Sequence, residues 1–283
     1  MLARALIAIV LLAAVALVTG RSDEAAGGDG RRLVVATTTQ AADLARNVAG
    51  DDVEVVGLLS PNADPHDYEI RPRDLQALAD ADLVVRSGGD VDAWVLEAGS
   101  DAPVVPLMQG DDPHWWQDPR NAIAAVGILE RAFGTDASGY VARLRALDRA
   151  VAACIDEIPE SQRKLVTTHD AMGAYARRYG LEVIGAVIPS LSTRGQPSAG
   201  EVADLVRTIR EQDVKAIFAE SSVNAKVEAA IARETGAKVG RPLWADTLGP
   251  PDSDGATYID SIAANTRAIT EGLTGRECDV RGL

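Results

Sequence analysis

Asp111-Asp112-Pro113-His114-Trp115-Trp116-Gln117-Asp118-Pro119-Arg120-Asn121 is the stretch whose setting decides the fold. The apolar run Val104 to Leu107 precedes it and reads as a strand. Pro119 stands at the first-turn position that proline favours, and it opens a helical pattern reaching Phe133. A histidine therefore sits where a strand hands over to a helix. The chain has three histidines, and the other two occupy the same setting. Asp64-Pro65-His66-Asp67-Tyr68 follows the strand-like run Val53 to Leu58, and Thr167-Thr168-His169-Asp170 ends the run that starts at Leu165.

The alternation extends in both directions. Leu33 to Thr37 reads as a strand, and Ala41, Leu44, Ala45 and Val48 recur at helical spacing until Gly50. Pro72 opens a short helix, Leu83 to Val85 reads as a strand, and a helix is expected around Trp94 and Leu96. Later, Val183 to Val187 and Val214 to Ala219 read as strands. Met172 to Tyr179, Asn224 to Thr235 and Thr257 to Leu273 read as helices, and Ser198 with Glu201 forms a capping box. A short strand is expected near Leu243 and Trp244. Such alternation predicts an α/β fold of parallel sheets covered by helices.

Between the two alternating halves, Tyr140, Leu144, Leu147, Val151, Cys154 and Ile158 recur every three or four residues and form one apolar stripe on a long helix. That helix reads as a further covering helix or as a stiff connector, and the similar halves on either side favour the connector. The expected organisation is a signal peptide over 1–20, a flexible tether over 21–31, an N-terminal α/β lobe over 32–134, a linking helix over 135–160 and a C-terminal α/β lobe over 161–283.

Composition narrows the function. A net charge of −14 argues against nucleic acid as a partner, because such binders carry a basic footprint. The apolar run from Ala5 to Val18 behind Arg4 reads as an export signal and is short against the ~20 residues of a membrane span, although a retained anchor is the alternative. The two cysteines, Cys154 and Cys278, can pair in an exported chain, but nothing in the sequence says whether they meet. With no CxxC pair, a thiolate zinc site is disfavoured.

His66, His114, His169, Glu220 and Asp246 all stand at the end of an expected strand, where open α/β sheets bind ligands. Imidazole and carboxylate suit a divalent transition metal. Three histidines with Asp246 give four ligands, which close a tetrahedral site, whereas a catalytic zinc keeps one position open. The expectation is therefore binding rather than catalysis, with Glu220 behind the ligands or as an alternate to Asp246. Asp67, Asp118 and Asp170 are candidates to receive the second ring N–H of the histidines. Asp246 also reads as a helix cap, and Trp115 and Trp116 as cleft walls or as core packing. A metal-dependent hydrolase with an open three-histidine site is the rival reading. No HExxH, GxSxG, P-loop or helix-opening GxGxxG is present.

At these residues the chain resembles the zinc/manganese substrate-binding proteins of ABC importers, the cluster A-I or ZnuA/TroA-like proteins. The resemblance rests on Pro65-His66-Asp67-Tyr68-Glu69, on Asp112-Pro113-His114 with Asp118-Pro119, on His169-Asp170-Ala171-Met172-Gly173 and on Asp246-Thr247-Leu248-Gly249. It implies two lobes, a long linking helix, a metal in the cleft and delivery to a membrane permease by a monomer. Manganese-preferring relatives tend to carry Glu where His169 stands, so zinc is expected, although some relatives with the same four ligands take manganese. Members of this family are also associated with adhesion. Two departures stand out. No His-rich loop precedes His114, and Arg21 occupies the place of a lipid-bearing cysteine.

Overall fold

The computed structural model describes residues 30–280. The expected export signal, Arg21 and nearly all of the tether lie outside them. In the first half, β1 (Arg32–Ala36), β2 (Val53–Gly57), β3 (Leu83–Arg86) and β4 (Val104–Pro106) form a wholly parallel sheet in the order β2-β1-β3-β4. The connections are α1 (Thr39–Val48), α2 (Pro72–Asp80) and a 3-10 turn at Ala93–Glu97. Val34 and Ala36 point into one core and Val35 into another, while Leu83 and Val85 oppose Val84 in the same way. The sheet is thus buried on both faces, as a parallel sheet with helical crossovers requires.

After α3 (Pro119–Phe133) and α4 (Ser138–Asp156), the second half repeats the plan with β5 (Lys164–His169), α5 (Gly173–Tyr179), β6 (Glu182–Ile188), α6 (Ala199–Glu211), β7 (Ala216–Ile217), α7 (Lys226–Thr235), β8 (Lys238–Val239) and α8 (Tyr258–Thr274). A parallel bridge from Thr167 to Phe218 joins the β5–β6 and β7–β8 pairs into one layer, and a bridge from Glu220 to Leu243 continues the β7–β8 side. Leu165 faces the main core, and Val166 faces a separate cluster with Leu205, Ile209 and Ile231.

Two elements differ from the sequence reading. The segment around Trp94 and Leu96 is a 3-10 turn rather than an α-helix. It is confined between Asp92, whose carboxylate takes the N–H groups of Ser87 and Gly88, and Gly99 at φ +78°. The strand expected at Leu243 and Trp244 is a single bridge. Pro242 has no N–H to give to a ladder, so the regular pairing stops at Val239.

The apolar stripe of α4 is buried from Tyr140 through Leu144, Leu147 and Val151 to Cys154. At 19 residues the helix is ~28 Å long. It packs on α3 and on α8, and Arg178 and Tyr179 of α5 both bond to its Asp148. One apolar cluster runs from Val34 and Val85 through Leu144 and Val151 to Phe218 and Ile269, so the two halves share a core. Cys154 and Cys278 form a disulfide across a sequence separation of 124, which stitches the end of α4 to the segment after α8. Replacing both cysteines by alanine should lower unfolding stability in urea by about 2–5 kcal/mol.

Candidate metal centre

His66 lies in the loop from β2 to α2, His114 in the loop from β4 to α3, and His169 is the last residue of β5. Asp246 follows the bridge at Leu243. All four stand at carboxyl ends of parallel strands, and a ligand-type atom of each lies within 4.8 Å of those of the other three. His114 Nε2 is 3.4 Å from His66 Nε2 and 3.3 Å from His169 Nε2. Asp246 Oδ2 is 3.0 Å from Nε2 of both His66 and His169, and its Oδ1 is 3.4 Å from His114 Nε2. The cluster is closed to solvent, with His66 the most accessible at 8%. Glu220 stands behind it, with Oε2 2.9 Å from His169 Nδ1.

The electrostatics couple two buried carboxylates to the buried imidazoles. Burial would lift the Asp246 carboxyl, but His169 and His114 outweigh it and hold the group far below the usual carboxylate range. Burial and the nearby Asp246 push the Glu220 carboxyl up, against the pull of His169. Burial opposes charge on His169, yet Asp246 and Glu220 overcome it and raise the imidazole to about 11. Burial, with the other two histidines, holds His114 below its ordinary value against Asp246. Both Asp246 oxygens are buried, and the groups they meet are the imidazole nitrogens of His66, His169 and His114.

Each ligand-type residue is aimed by its backbone. Asp64 Oδ1 accepts the His66 N–H at 2.9 Å, and Asp112 Oδ1 accepts the His114 N–H at 3.0 Å. The intervening prolines have no N–H to compete for these carboxylates. The Asp246 segment is fastened to the first half of the chain. Trp116 Nε1 and Gln117 Nε2 both donate to Ala245 O, Thr39 Oγ1 accepts from Leu248 N, and Asn62 N donates to Leu248 O. Tyr258 OH donates to Trp116 O at 2.6 Å.

The family described as zinc-uptake complex component A, periplasmic (ZnuA), matches residues 34–272. The chain belongs to the ZnuA family. Its relatives include the manganese-binding lipoprotein MntA of Bacillus subtilis (strain 168), 34% identical over 95% of this chain and 98% of that protein. The zinc-binding protein TroA of Treponema pallidum (strain Nichols) is 30% identical over 90% of this chain and 92% of that one. The solved structure of the periplasmic zinc-binding protein TroA superposes with a TM-score of 0.80, at 27% identity, over 86% of this chain and 99% of its own. The two-lobed α/β architecture expected from the sequence is that of this ZnuA-type fold.

The structure brings the four ligand candidates together and places Glu220 Oε2 beside His169 Nδ1. The three aspartates expected to support the histidines do other work. Asp118 caps α3 and pairs with Arg120, Asp67 is exposed near Arg194, and Asp170 is exposed. Asp64 and Asp112 take that place, although they hold the ligands' backbone and not their rings. The signal for them was the twice-repeated Asp-Pro-His. Trp116 combines both readings offered for it, being wholly buried and lying edge-on to His114 with ring centres 5.5 Å apart, while Trp115 packs in the core and donates to Ser87. Because the Tyr258 hydroxyl serves the backbone that fixes Asp246, Tyr258→Phe should cost about 1–3 kcal/mol in a denaturant melt of the metal-free protein.

Proposed function

We propose that this protein is an extracytoplasmic binding protein that captures one divalent transition-metal ion, zinc by preference, and delivers it as cargo to an ABC-type membrane permease. His66, His114, His169 and Asp246 hold the ion, and Glu220 orients His169 through its second ring nitrogen. This reading takes 32–134 and 161–283 as lobes joined through 135–160. It places the protein outside the cytoplasm, on the strength of the export-type run from Ala5 to Val18.

The observation that carries the reading is the spacing of the imidazole nitrogens. Two nitrogens bound at ~2.0–2.1 Å to one tetrahedral zinc stand about 3.3–3.4 Å apart. His114 Nε2 stands 3.4 and 3.3 Å from its two counterparts. An ion between them also meets the buried negative charge of the Asp246 carboxylate, whose oxygens lie 3.0–3.4 Å from the same nitrogens. Four protein ligands in a closed pocket leave no position for an attacking water, which favours binding over metal-dependent hydrolysis.

Manganese is the second reading, and one observation favours it. Both Asp246 oxygens face the imidazoles, so chelation through both gives five donors, and carboxylate oxygens suit manganese. Metal analysis of protein purified without chelator, followed by zinc–manganese competition, separates the two.

Zinc at 100 times its dissociation constant should stabilise the wild-type protein by ~2.7 kcal/mol. His114→Ala should lose most of that gain, and a melting shift equal to that of the wild type would remove His114 from the site. Glu220→Gln should keep one zinc per chain but weaken it by about 10–100-fold, read by competition with a chelating dye.

A further inference from the structure

The two Asp-Pro-His loops share a feature beyond the turn itself. In each, one carboxylate oxygen holds the backbone N–H of the histidine, and the other oxygen reaches across to the second half of the chain. Asp64 Oδ2 accepts from Thr193 Oγ1 at 2.6 Å. Asp112 Oδ2 accepts from Arg177 Nη2 at 2.6 Å. Thr193 sits in the loop between β6 and α6, and Arg177 on α5, just after His169. Both partners therefore ride on the part of the fold that carries His169.

We propose that Asp64 and Asp112 are positioning residues that latch the His66 and His114 loops to the His169-bearing half, so that a bound ion leaves only after the Asp64–Thr193 and Asp112–Arg177 contacts part. The inference rests on the metal-binding reading above and deepens it by assigning the residues that set the rate of release. A single carboxylate does both jobs. Losing the contact across the cleft frees the second oxygen and untethers the loop, while the first oxygen still holds the turn, so the histidine moves away with its loop as the halves separate.

The two latches are not equal. The Arg177 side chain is 68% exposed, so solvent and salt screen its pair. The Asp64–Thr193 bond is partly buried and so less open to solvent competition, which makes it the stronger. Neither Thr193 nor Arg177 is a ligand, and changing them leaves both Asp-Pro-His turns intact.

The test is the rate at which zinc passes from the loaded full-length protein to excess chelator in stopped flow, together with zinc stoichiometry and the melting temperature of the metal-free form. Thr193→Val should keep one zinc and the metal-free melting temperature, and should release zinc about tenfold faster. Thr193→Ser, which keeps the hydroxyl, should restore the wild-type rate. Arg177→Gln should speed release about two- to threefold at low salt, and that difference should vanish at high salt. Variants that hold one zinc and release it within twofold of the wild-type rate overturn the latch while leaving the site intact. A wild-type protein that takes up no zinc overturns the site, and the latch with it.

Discussion

The Asp246 carboxylate is the constraint on which the rest depends. It is 1% exposed, and its oxygens lie 3.0–3.4 Å from the Nε2 atoms of three imidazoles. Burying a charge in that state costs several kcal/mol unless something of opposite sign meets it. Three imidazoles converge on it and Glu220 adds a second carboxylate behind one of them, so the demand is for a cation. The fold answers by placing each group at a strand end, where short loops leave little freedom of aim.

The frame that carries this load is stiff. Both sheets are covered on two faces, and one apolar cluster passes from the first to the second through α4. The long helix is braced at Asp148 by Arg178 and Tyr179, and its end is stitched by the disulfide to Cys278. A wide separation of the halves would have to open that shared core and expose apolar surface.

Much of this was legible in the residues. The βα alternation, Pro119 at the start of α3, the Ser198–Glu201 box and the stripe on α4 are local signals, and each became the element it announced. The convergence of His66, His114, His169 and Asp246 was readable because strand ends in parallel sheets share one edge. What was not legible depends on groups distant in sequence. The pairing of Cys154 with Cys278 needs the path of α8, and the 3-10 turn at Ala93–Glu97 follows from a carboxylate locked into neighbouring backbone. The supporting role of Asp64 and Asp112 was hidden because sequence proximity pointed equally to Asp67, Asp118 and Asp170. The repeated Asp-Pro-His and the bonds from the His66 and His114 N–H groups set Asp64 and Asp112 apart.

Sequence order alone also understates how Asp246 is held. It comes late in the chain, yet Trp116, Gln117, Thr39 and Asn62 fasten its backbone to the first half. On the other side, Leu243 pairs with Ala219 and Ser221, and Asn265 holds both the N–H and the carbonyl of Trp244. Asp246 is therefore braced from both halves at the point where the histidines converge. Any relative motion of the halves must break one of these sets of backbone bonds, so the stiffness of the shared core extends to the carboxylate itself.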